Sequence, residues 1–298
     1  MDAVARVRSF NRTVTARIGA LDAEFLGRGR SLGACRLLFE IGTGGGEVRA
    51  LRARLGLDSG YLSRLLRGLE EEGLVRTGAA PGDARVRYAA LTAAGRRELA
   101  ALDRLSDDAA AAMLESLSER QRDELTDAMA LVERLLRASA VRMELEDVRS
   151  RDARECLARY FEELAARFEA GFDPALGLPL TDEQLTPPRG LFVIARLDGE
   201  AVGCGALKLT GGGYAEIKRM WVAESARGLG IARRILARLE ELALERRARV
   251  VRLDTNRALP EAHALYRSSG YREVPPFNDD PYAHLWFEKT LRGPVSPE

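Results

Sequence analysis

The sequence predicts a two-domain protein, with a mainly helical first half and an α/β second half. Its 298 residues exceed the usual size of a single domain. Apolar residues recur at helical spacing up to about residue 140, whereas strand-like alternation interleaved with helices dominates afterwards. Two long helical segments, at about 92–116 and from 118 onward, close the first half. We therefore predict domains at 1–140 and 141–298.

The composition is typical of a water-soluble globular protein. Hydrophobic residues make up 46% and charged residues 31%, with a formal net charge of +1. The scattered Cys35, Cys156 and Cys204, like His263 and His284, show no metal-ligand spacing, so we expect buried thiols and no metal site. No apolar run resembles a signal peptide or a membrane span, so we expect a cytoplasmic protein without a membrane partner.

The first half opens with four predicted helices. Apolar residues at three- and four-residue steps from Val7 to Phe25 predict the first helix. Shorter helices follow at about 32–42 and 47–56, each ended by glycine. Asp58 or Ser59 can cap the fourth helix, whose apolar face holds Leu62, Leu65, Leu66 and Leu69.

The fourth helix and the segment behind it have the pattern of a winged helix-turn-helix. Two short helices joined by a tight turn form the helix-turn-helix. Strands at 74–76 and 85–88, joined by a turn at 79–83, form a hairpin that reads as the wing. The alternative for Arg64 and Arg67 on the helix is that they are ordinary solvated charges. The candidate DNA contacts are Ser59, Tyr61, Ser63, Arg64 and Arg67 on the helix, and Arg85 and Arg87 on the wing.

This half resembles the MarR-type winged-helix regulators over about residues 1–140. The resemblance depends on GYLSRLLRGLEEEGLV at 60–75, on the Asp83-x-Arg85 pair, and on the run from that pair to Leu91-Thr92. It implies that the partner is a double-stranded DNA operator. It also implies that the first helix and the two long helices form a homodimer interface, which places two recognition helices on successive major-groove turns.

The second half is organised around residues 214–246, which read as a strand, a glycine turn and a long amphipathic helix. Two glycines allow backbone N–H groups of the turn to point into one small space. The following helix adds its unpaired first-turn N–H groups and the positive end of its dipole. The turn at 227–232 therefore predicts a site for a phosphate or pyrophosphate. The other predicted elements are strands at 141–145, 190–197, 201–209, 249–254, 271–274 and 283–289, and helices at 150–168 and 260–269.

These features resemble the GNAT acetyltransferase superfamily over about residues 141–292. Arg227-x-x-Gly230-x-Ala232 matches the coenzyme A turn of that family, which allows alanine at the last position. Asn256, Ala262, Leu265-Tyr266 and Gly270-Tyr271 form the downstream match. The resemblance implies a mixed-sheet GNAT fold, acetyl-CoA as acetyl donor, and a splayed strand whose backbone holds the pantetheine arm. The cofactor-binding residues that it implies are Trp221, Val222, Arg227, Gly228, Leu229, Gly230, Ile231, Ala232 and Asn256.

Acyl transfer to an amine requires a group that removes the amine proton and a group that protonates the departing thiolate. Tyr266 stands at the family's position for the acid, although it could also be a packed tyrosine. Glu216 on the central strand is the candidate base, although it could simply pair with Lys218 or Arg219. If Lys218 or Arg219 instead faces the cleft, it could bind a carboxylate of an amino-acid-like acceptor. The loop at 276–282 is a further candidate for lining the acceptor site.

The leading hypothesis is a homodimeric DNA-binding regulator fused to an acetyl-CoA-dependent N-acetyltransferase for a small-molecule amine acceptor. One alternative is a regulator whose second domain only senses acetyl-CoA or a ligand. The other is an acetyltransferase whose first domain only dimerises. Tyr266 and Glu216 argue against a regulator that only senses a ligand. The helix and wing arginines argue against a first domain that only dimerises.

Overall fold

Helices dominate the first half of the chain and a mixed sheet dominates the second. The structure, a computed structural model, describes residues 2–22, 24–42, 44–80, 82–169 and 171–292. Pro81, in the predicted wing turn, lies outside the described residues. The chain divides into two units, Met1–Ala128 and Met129–Glu298. That division falls within the long helix Glu119–Ala140, ahead of the boundary at 140, which stays a prediction.

The first unit consists of helices and a small antiparallel sheet. Its strands are ordered β1-β3-β2, so the β2–β3 hairpin has the form of the predicted wing. The elements are α1 Ala3–Arg17, α2 Leu32–Ile41, β1 Gly46–Glu47, α3 Val48–Leu55, α4 Ser59–Glu71, β2 Val75–Ala80, β3 Asp83–Leu91 and α5 Ala93–Glu115.

The prediction of one continuous helix from Val7 to Phe25 is wrong. Helix α1 ends at Arg17, and Gly19 then takes a left-handed backbone with φ +67°, which an α-helix cannot contain. Phe25 belongs to a separate 3₁₀ turn, Phe25–Gly27. None of the residues of α1 is buried, and Val7 is 58% exposed.

Helix α6, Glu119–Ala140, begins with a capping box formed by Ser118 and Gln121. The backbone N–H of Ser118 donates to Gln121 Oε1 at 3.0 Å, and the N–H of Gln121 donates back to Ser118 Oγ at 3.4 Å. The helix has no buried residue. Its exposed apolar side chains are Met129, Leu131, Leu135 and Leu136.

The second unit contains a mixed sheet ordered β4-β5-β6-β7-β8-β10-β9 within the described residues. Every pair in it is antiparallel except β7 with β8. The elements are β4 Arg142–Glu146, α7 Arg151–Arg167, β5 Gly190–Leu197, β6 Glu200–Gly211, β7 Tyr214–Val222, α8 Ile231–Glu245, β8 Val250–Thr255, α9 Pro260–Ser268, β9 Arg272–Val274 and β10 Leu285–Thr290.

Helices α7 and α8 cover opposite faces of this sheet. The buried thiol of Cys204 on β6 donates to the carbonyl oxygen of Arg219 at 3.4 Å and lies beside the buried Cys156 of α7. The next residue, Gly205, points to the other face, because side chains alternate along a strand. A Cβ atom there would lie 2.6 Å from Ile235 and 2.9 Å from Leu239, both on α8. Glycine therefore lets α8 approach the sheet closely, and the apolar core lies between the layers.

We expect Gly190→Ala to destabilise the second unit. An added Cβ would lie 2.1 Å from the carbonyl oxygen of Gln184 and 2.6 Å from that of Leu207, and neither backbone atom can move without disturbing the sheet. Overpacking of this kind costs on the order of 1–3 kcal/mol or more. Denaturant unfolding followed by tryptophan fluorescence measures the loss, since both Trp221 and Trp286 lie in this unit.

Gly177→Ala is the matched control, because its added Cβ would meet only ordinary contacts at 3.7 Å and beyond. Equal unfolding midpoints for Gly190→Ala and Gly177→Ala would contradict this account of β5.

Candidate functional site

The glycine turn leads from β7 to the first turn of α8. Gly228 and Gly230 both have left-handed backbones, with φ +79° and +71°, so the turn requires glycine at these two positions. Gly230 is the N-cap of α8, and no side chain caps the helix there. The first-turn N–H groups of α8 are thus left for a ligand, and the helix dipole favours an anion.

Two apolar side chains anchor this turn in the core. Leu229 is 8% exposed and Ile231 is 1% exposed, so only their backbone groups are available to a ligand. A Cβ added at Gly228 or Gly230 would meet no atom within 4 Å, which shows open space beside both glycines. The open space and the uncapped N–H groups are compatible with a pyrophosphate, and its binding here stays a prediction.

Strands β7 and β8 separate just before the turn. They pair only from Tyr214 to Glu216 on β7, although both strands continue further. On the other side, β7 carries a bulge against β6, where Arg219 takes a left-handed backbone with φ +57°. The edge of β7 that faces β8 therefore has no strand partner near Trp221 and Val222. This is the splayed geometry that the sequence resemblance implies.

A groove runs from this open strand edge to the glycine turn. We call it the turn groove; its lining includes Met220, Trp221, Val222, Arg227, Ala232, Ala262, Leu265 and Tyr266. Glu163 of α7 holds two of these residues. Its carboxylate accepts a hydrogen bond from Trp221 Nε1 at 3.0 Å and two from Arg227 Nη2 at 2.7 Å. The indole and guanidinium thus support the groove structurally. Glu163 could not be recognised from the sequence, because it lies 64 positions from Arg227.

Asn256 is buried at the end of β8, with both ends of its amide engaged. Its Nδ2 donates to the carbonyl oxygen of Tyr282 at 2.8 Å, and its Oδ1 accepts from the N–H of Ala258 at 2.9 Å. The side chain thereby connects β8 to the loop before β10. It lines the pocket described next, not the turn groove. The predicted contact with pantetheine stays a prediction.

A second cavity, which we call the charged pocket, adjoins the turn groove. Loop and helix residues supply its apolar side: Leu164, Phe168, Phe172, Leu178, Pro179, Leu180 and Tyr282. The strands supply its charged side: Lys208, Glu216, Lys218 and Asp254. The predicted lining by the loop at 276–282 holds for Asp280 and Tyr282.

Ion pairs connect the charged side of this pocket. Lys218 Nζ donates to both oxygens of Asp254, at 2.9 Å for Oδ2, so these two groups form a closed pair. Glu216 Oε2 lies 3.6 Å from Lys218 Nζ and 3.7 Å from Lys208 Nζ. Both distances exceed a hydrogen bond, and the described residues offer the Glu216 carboxylate no other partner. The sequence suggests Lys218 or Arg219 as the ion-pair partner of Glu216. Lys218 does lie within ion-pair distance of its carboxylate.

Arg219, the other suggested partner of Glu216, has a different environment. Its guanidinium lies 4.8 Å from the ring centroid of Phe161 and 5.8 Å from that of Tyr160. The sequence-based reasoning also missed Lys208, which sits directly opposite Glu216 on β6.

Tyr266 lies on the wall that the turn groove and the charged pocket share. It is 5% exposed, on α9, and its ring packs against Tyr271 and Phe287 with both centroids at 5.9 Å. Burial raises the pKa of the Tyr266 hydroxyl well above its ordinary value. The hydroxyl therefore keeps its proton at neutral pH and is able to donate it.

In the first unit, α4 presents the predicted polar face. Asp58 caps it by accepting a hydrogen bond from the N–H of Tyr61 at 2.9 Å. Arg64 and Arg67 are exposed and make no ion pair within the described residues. Tyr61 is half-buried, and its hydroxyl packs so closely on α2 that a Cβ at Gly33 would lie 2.6 Å away. Ser59 and Ser63 are exposed, and the Ser63 hydroxyl donates to the Ser59 carbonyl at 2.7 Å.

The wing arginines differ in their surroundings. The backbone N–H and the Nε of Arg85 both donate to Asp83 Oδ1, at 3.0 and 3.2 Å, so the two residues form one local motif. Arg87 is exposed and makes a long 3.4 Å contact with Thr77 Oγ1. An anion that binds Arg85 would have to compete with Asp83, which makes α4 the stronger candidate for contact with phosphate.

Among the described residues, no group of three or more His, Cys, Asp or Glu side chains is arranged to hold a metal ion. Within the same part of the chain, no helix combines the length and the apolar character that a membrane crossing requires.

Two family models match separate parts of the chain. The model of the acetyltransferase (GNAT) family matches residues 154–271, and that of the MarR family matches residues 28–86. A protein of Azospirillum brasilense named IAA acetyltransferase is 38% identical over 142 residues, which cover 46% of this chain and 92% of the relative.

Solved structures resemble each half of the chain. A putative acyl-CoA N-acyltransferase from Klebsiella pneumoniae is 26% identical with a TM-score of 0.42, covering 51% of this chain and 98% of that one. A probable transcriptional regulator from Pseudomonas aeruginosa is 25% identical with a TM-score of 0.37, covering 42% and 96%.

Proposed function

Since this chain belongs to the GNAT family of acetyltransferases and carries a MarR-family winged helix, we propose that it is a bifunctional N-acetyltransferase and DNA-binding regulator. Acetyl-CoA is the acetyl donor. The acceptor in this proposal is a small amine or an amino-acid-like compound. The observation that carries the enzymatic half is the position of Tyr266, on the wall shared by the turn groove and the charged pocket.

The turn groove is the proposed donor site. The N–H groups of residues 228–232 would hold the pyrophosphate, and the unpaired edge of β7 near Trp221 and Val222 would hold the pantetheine arm. Glu163 keeps Arg227 and Trp221 in place beside that path. When bound, acetyl-CoA supplies an acetyl group activated as a thioester.

The charged pocket is the proposed acceptor site. An acceptor ammonium must lose a proton before its nitrogen can attack, and Glu216 is the carboxylate positioned to take it. As the new C–N bond forms and the C–S bond breaks, the Tyr266 hydroxyl donates its proton to sulfur. The second proton of the amine then restores Tyr266, and Glu216 releases its proton to water. One acetyl group is transferred and one proton is released overall.

An acceptor screen with the full chain tests the enzymatic half. Acetyl-CoA labelled in the acetyl group is offered together with amines, polyamines, free amino acids and the compound abbreviated IAA in the name of the Azospirillum relative. A labelled amide is the expected product. If the chain binds acetyl-CoA tightly but acetylates no acceptor, the sensor alternative replaces the enzyme.

The regulatory half of the proposal concerns α4 and the wing. Arg64, Arg67 and Arg87 are exposed and free of ion pairs within the described residues, as phosphate-contacting side chains should be. Ser59, Ser63 and Tyr61 are proposed to lie along the same DNA surface, and Arg85 to join it by exchanging Asp83 for phosphate. An acetyltransferase that uses its first unit only for dimerisation would not need these exposed arginines on α4 and the wing.

The exposed apolar residues of α1 and of α6 support a homodimer. Val7 and Phe10 on α1 are 58% and 44% exposed, and Leu135 and Leu136 on α6 are 58% and 61% exposed. Burial of such faces is the expected driving force for association. Sedimentation equilibrium should give twice the 32.7 kDa mass of one chain. Leu135→Glu together with Leu136→Glu should shift the mass toward one chain, and a monomeric parent protein would refute the dimer.

A further inference from the structure

We propose that the acceptor is a zwitterionic aromatic amino acid, whose ammonium binds Glu216, whose carboxylate binds Lys208, and whose ring packs on the aromatic side of the charged pocket. This inference rests on the proposed acetyltransferase function and names the chemical class of its acceptor. Three features of the pocket carry it.

The first feature is an ion pair that is open on the pocket side. Lys208 and Glu216 face each other across β6 and β7, but their charged atoms stay 3.7 Å apart, and neither side chain makes a hydrogen bond within the described residues. Both are largely shielded, at 26% and 19% exposure. Charged groups with so little water gain from charge-assisted hydrogen bonds. A ligand that carries one ammonium and one carboxylate supplies both missing partners at once.

The second feature is the contrast with the neighbouring pair. Lys218 and Asp254 hydrogen-bond each other directly and are only 15% and 8% exposed. These two groups hydrogen-bond each other, although Lys218 Nζ also lies 3.6 Å from Glu216. The third carboxylate of the lining, Asp280, accepts a hydrogen bond from the N–H of Tyr282 at 3.0 Å. Within the described residues, Glu216 is thus the lining carboxylate without a hydrogen bond, and Lys208 is the lining ammonium without one.

The third feature is the aromatic side of the pocket. Phe168, Phe172 and Tyr282 pack together with ring centroids 4.7 to 5.9 Å apart. The Tyr282 hydroxyl accepts a hydrogen bond from the N–H of Asp173 at 2.9 Å, which fixes the loop that carries Phe172. All three rings line the same cavity as Lys208 and Glu216. A fixed set of rings favours an aromatic side chain, since ring pairs at such spacing stabilise beyond simple area burial.

The proposed roles of Glu216 and Tyr266 in acetyl transfer are compatible with this binding mode of the acceptor. Binding of the ammonium at Glu216 puts the proton to be removed on the base that removes it. The neutral nitrogen then forms the C–N bond to the acetyl carbon, the C–S bond breaks, and Tyr266 gives its proton to sulfur. Lys208 takes no part in these proton transfers. It is a specificity-determining residue that contacts the acceptor carboxylate.

Three acceptors and one amine-free analogue, which differ from phenylalanine by one group each, test the assignment in the full chain with acetyl-CoA. They are phenylalanine, phenethylamine without the carboxylate, alanine without the ring, and 3-phenylpropanoate without the amine. We expect kcat/KM for phenylalanine to exceed that for phenethylamine and for alanine by roughly 10-fold or more. The amine-free compound should inhibit competitively with the acceptor. Acetylation of phenethylamine at the rate of phenylalanine would overturn the inference and leave the acetyltransferase function standing. Failure of every amine would overturn both.

Two substitutions assign the contacts. Lys208→Gln should lower the ratio of kcat/KM for phenylalanine to that for phenethylamine roughly 10- to 100-fold. Phe172→Ala should lower the ratio of kcat/KM for phenylalanine to that for alanine about tenfold. Each comparison uses two acceptors with the same protein, so a partial folding defect cancels in the ratio. Arg219→Gln is the matched control, since Arg219 also lines the pocket but stacks on Phe161. If Arg219→Gln abolishes the preference for phenylalanine over phenethylamine and Lys208→Gln does not, the assignment of the carboxylate contact to Lys208 is wrong.

Discussion

Replacement of Tyr266 with phenylalanine should lower kcat for acetyl transfer by roughly 10²–10⁴-fold, the range in which a general acid contributes. The substitution removes the hydroxyl that protonates the departing thiolate and keeps the ring that packs against Tyr271 and Phe287. The affinity for acetyl-CoA should stay close to that of the parent, because the turn at 228–232 and the edge of β7 are unchanged. Steady-state assay of released coenzyme A thiol, with calorimetry of acetyl-CoA binding, separates the two effects.

Tyr271→Phe is the matched control for this variant. Tyr271 is also a buried tyrosine and packs against Tyr266, but it lines neither the turn groove nor the charged pocket. Loss of its hydroxyl should leave kcat within about twofold of the parent. If the Tyr266→Phe variant is as active as the Tyr271→Phe variant, Tyr266 is not the general acid.

The pH dependence of kcat provides an independent check on the same residue. Burial raises the pKa of Tyr266 above its ordinary value, so the protonated, donating form persists to higher pH than it would for an exposed tyrosine. The acid should therefore cause no alkaline decline of kcat below about pH 10. A parent profile that falls between pH 7 and 9, and that Tyr266→Phe flattens, would contradict this protonation state.

Loss of Arg64 and Arg67 should nearly abolish operator binding at physiological salt. A dimer carries each arginine twice, so Arg64→Ala with Arg67→Ala removes up to four phosphate contacts per complex. The slope of log K against log salt should then become shallower by about 3 to 4, and affinity at fixed salt should fall on the order of 10²-fold or more. Fluorescence anisotropy with DNA from the region next to the gene, measured at several salt concentrations, gives both quantities.

A charge-matched pair of substitutions controls for the general effect of net charge. Arg189→Ala with Arg246→Ala removes the same charge from exposed positions of the second unit. This control should keep the salt slope of the parent. Equal losses in the two double variants would mean that binding depends on net charge alone, and the assignment to α4 would fail.

Local motifs made the glycine turn between β7 and α8 predictable from the sequence. The strand, the two glycines of the turn and the helix follow one another in the chain. Their pattern can therefore be recognised without knowledge of tertiary contacts. The capping box of α6 and the Asp58 cap of α4 were predictable for the same reason. The single helix predicted up to Phe25 is wrong because Gly19 breaks a run whose apolar periodicity continues beyond it.

The charged pocket could not be predicted in the same way, because contacts between residues far apart in the chain form it. Glu163 reaches Arg227 from 64 positions away, and Lys218 meets Asp254 across 36 positions. Lys208 looks like any strand lysine until the register of β6 and β7 places it opposite Glu216. Asp83 likewise engages Arg85 through side-chain geometry that the sequence motif does not specify.

The most direct test of the central claim is the stoichiometry of a reaction run by the full chain over many turnovers, with and without an amine acceptor. Mass spectrometry counts the N-acetylated amine, and a thiol reagent counts the released coenzyme A. We predict release only in the presence of the acceptor, with one acetylated amine for each thiol and both in large excess over enzyme. Thiol release that is equal without the acceptor, or the absence of release despite bound acetyl-CoA, would contradict acetyl transfer at the wall formed by Tyr266.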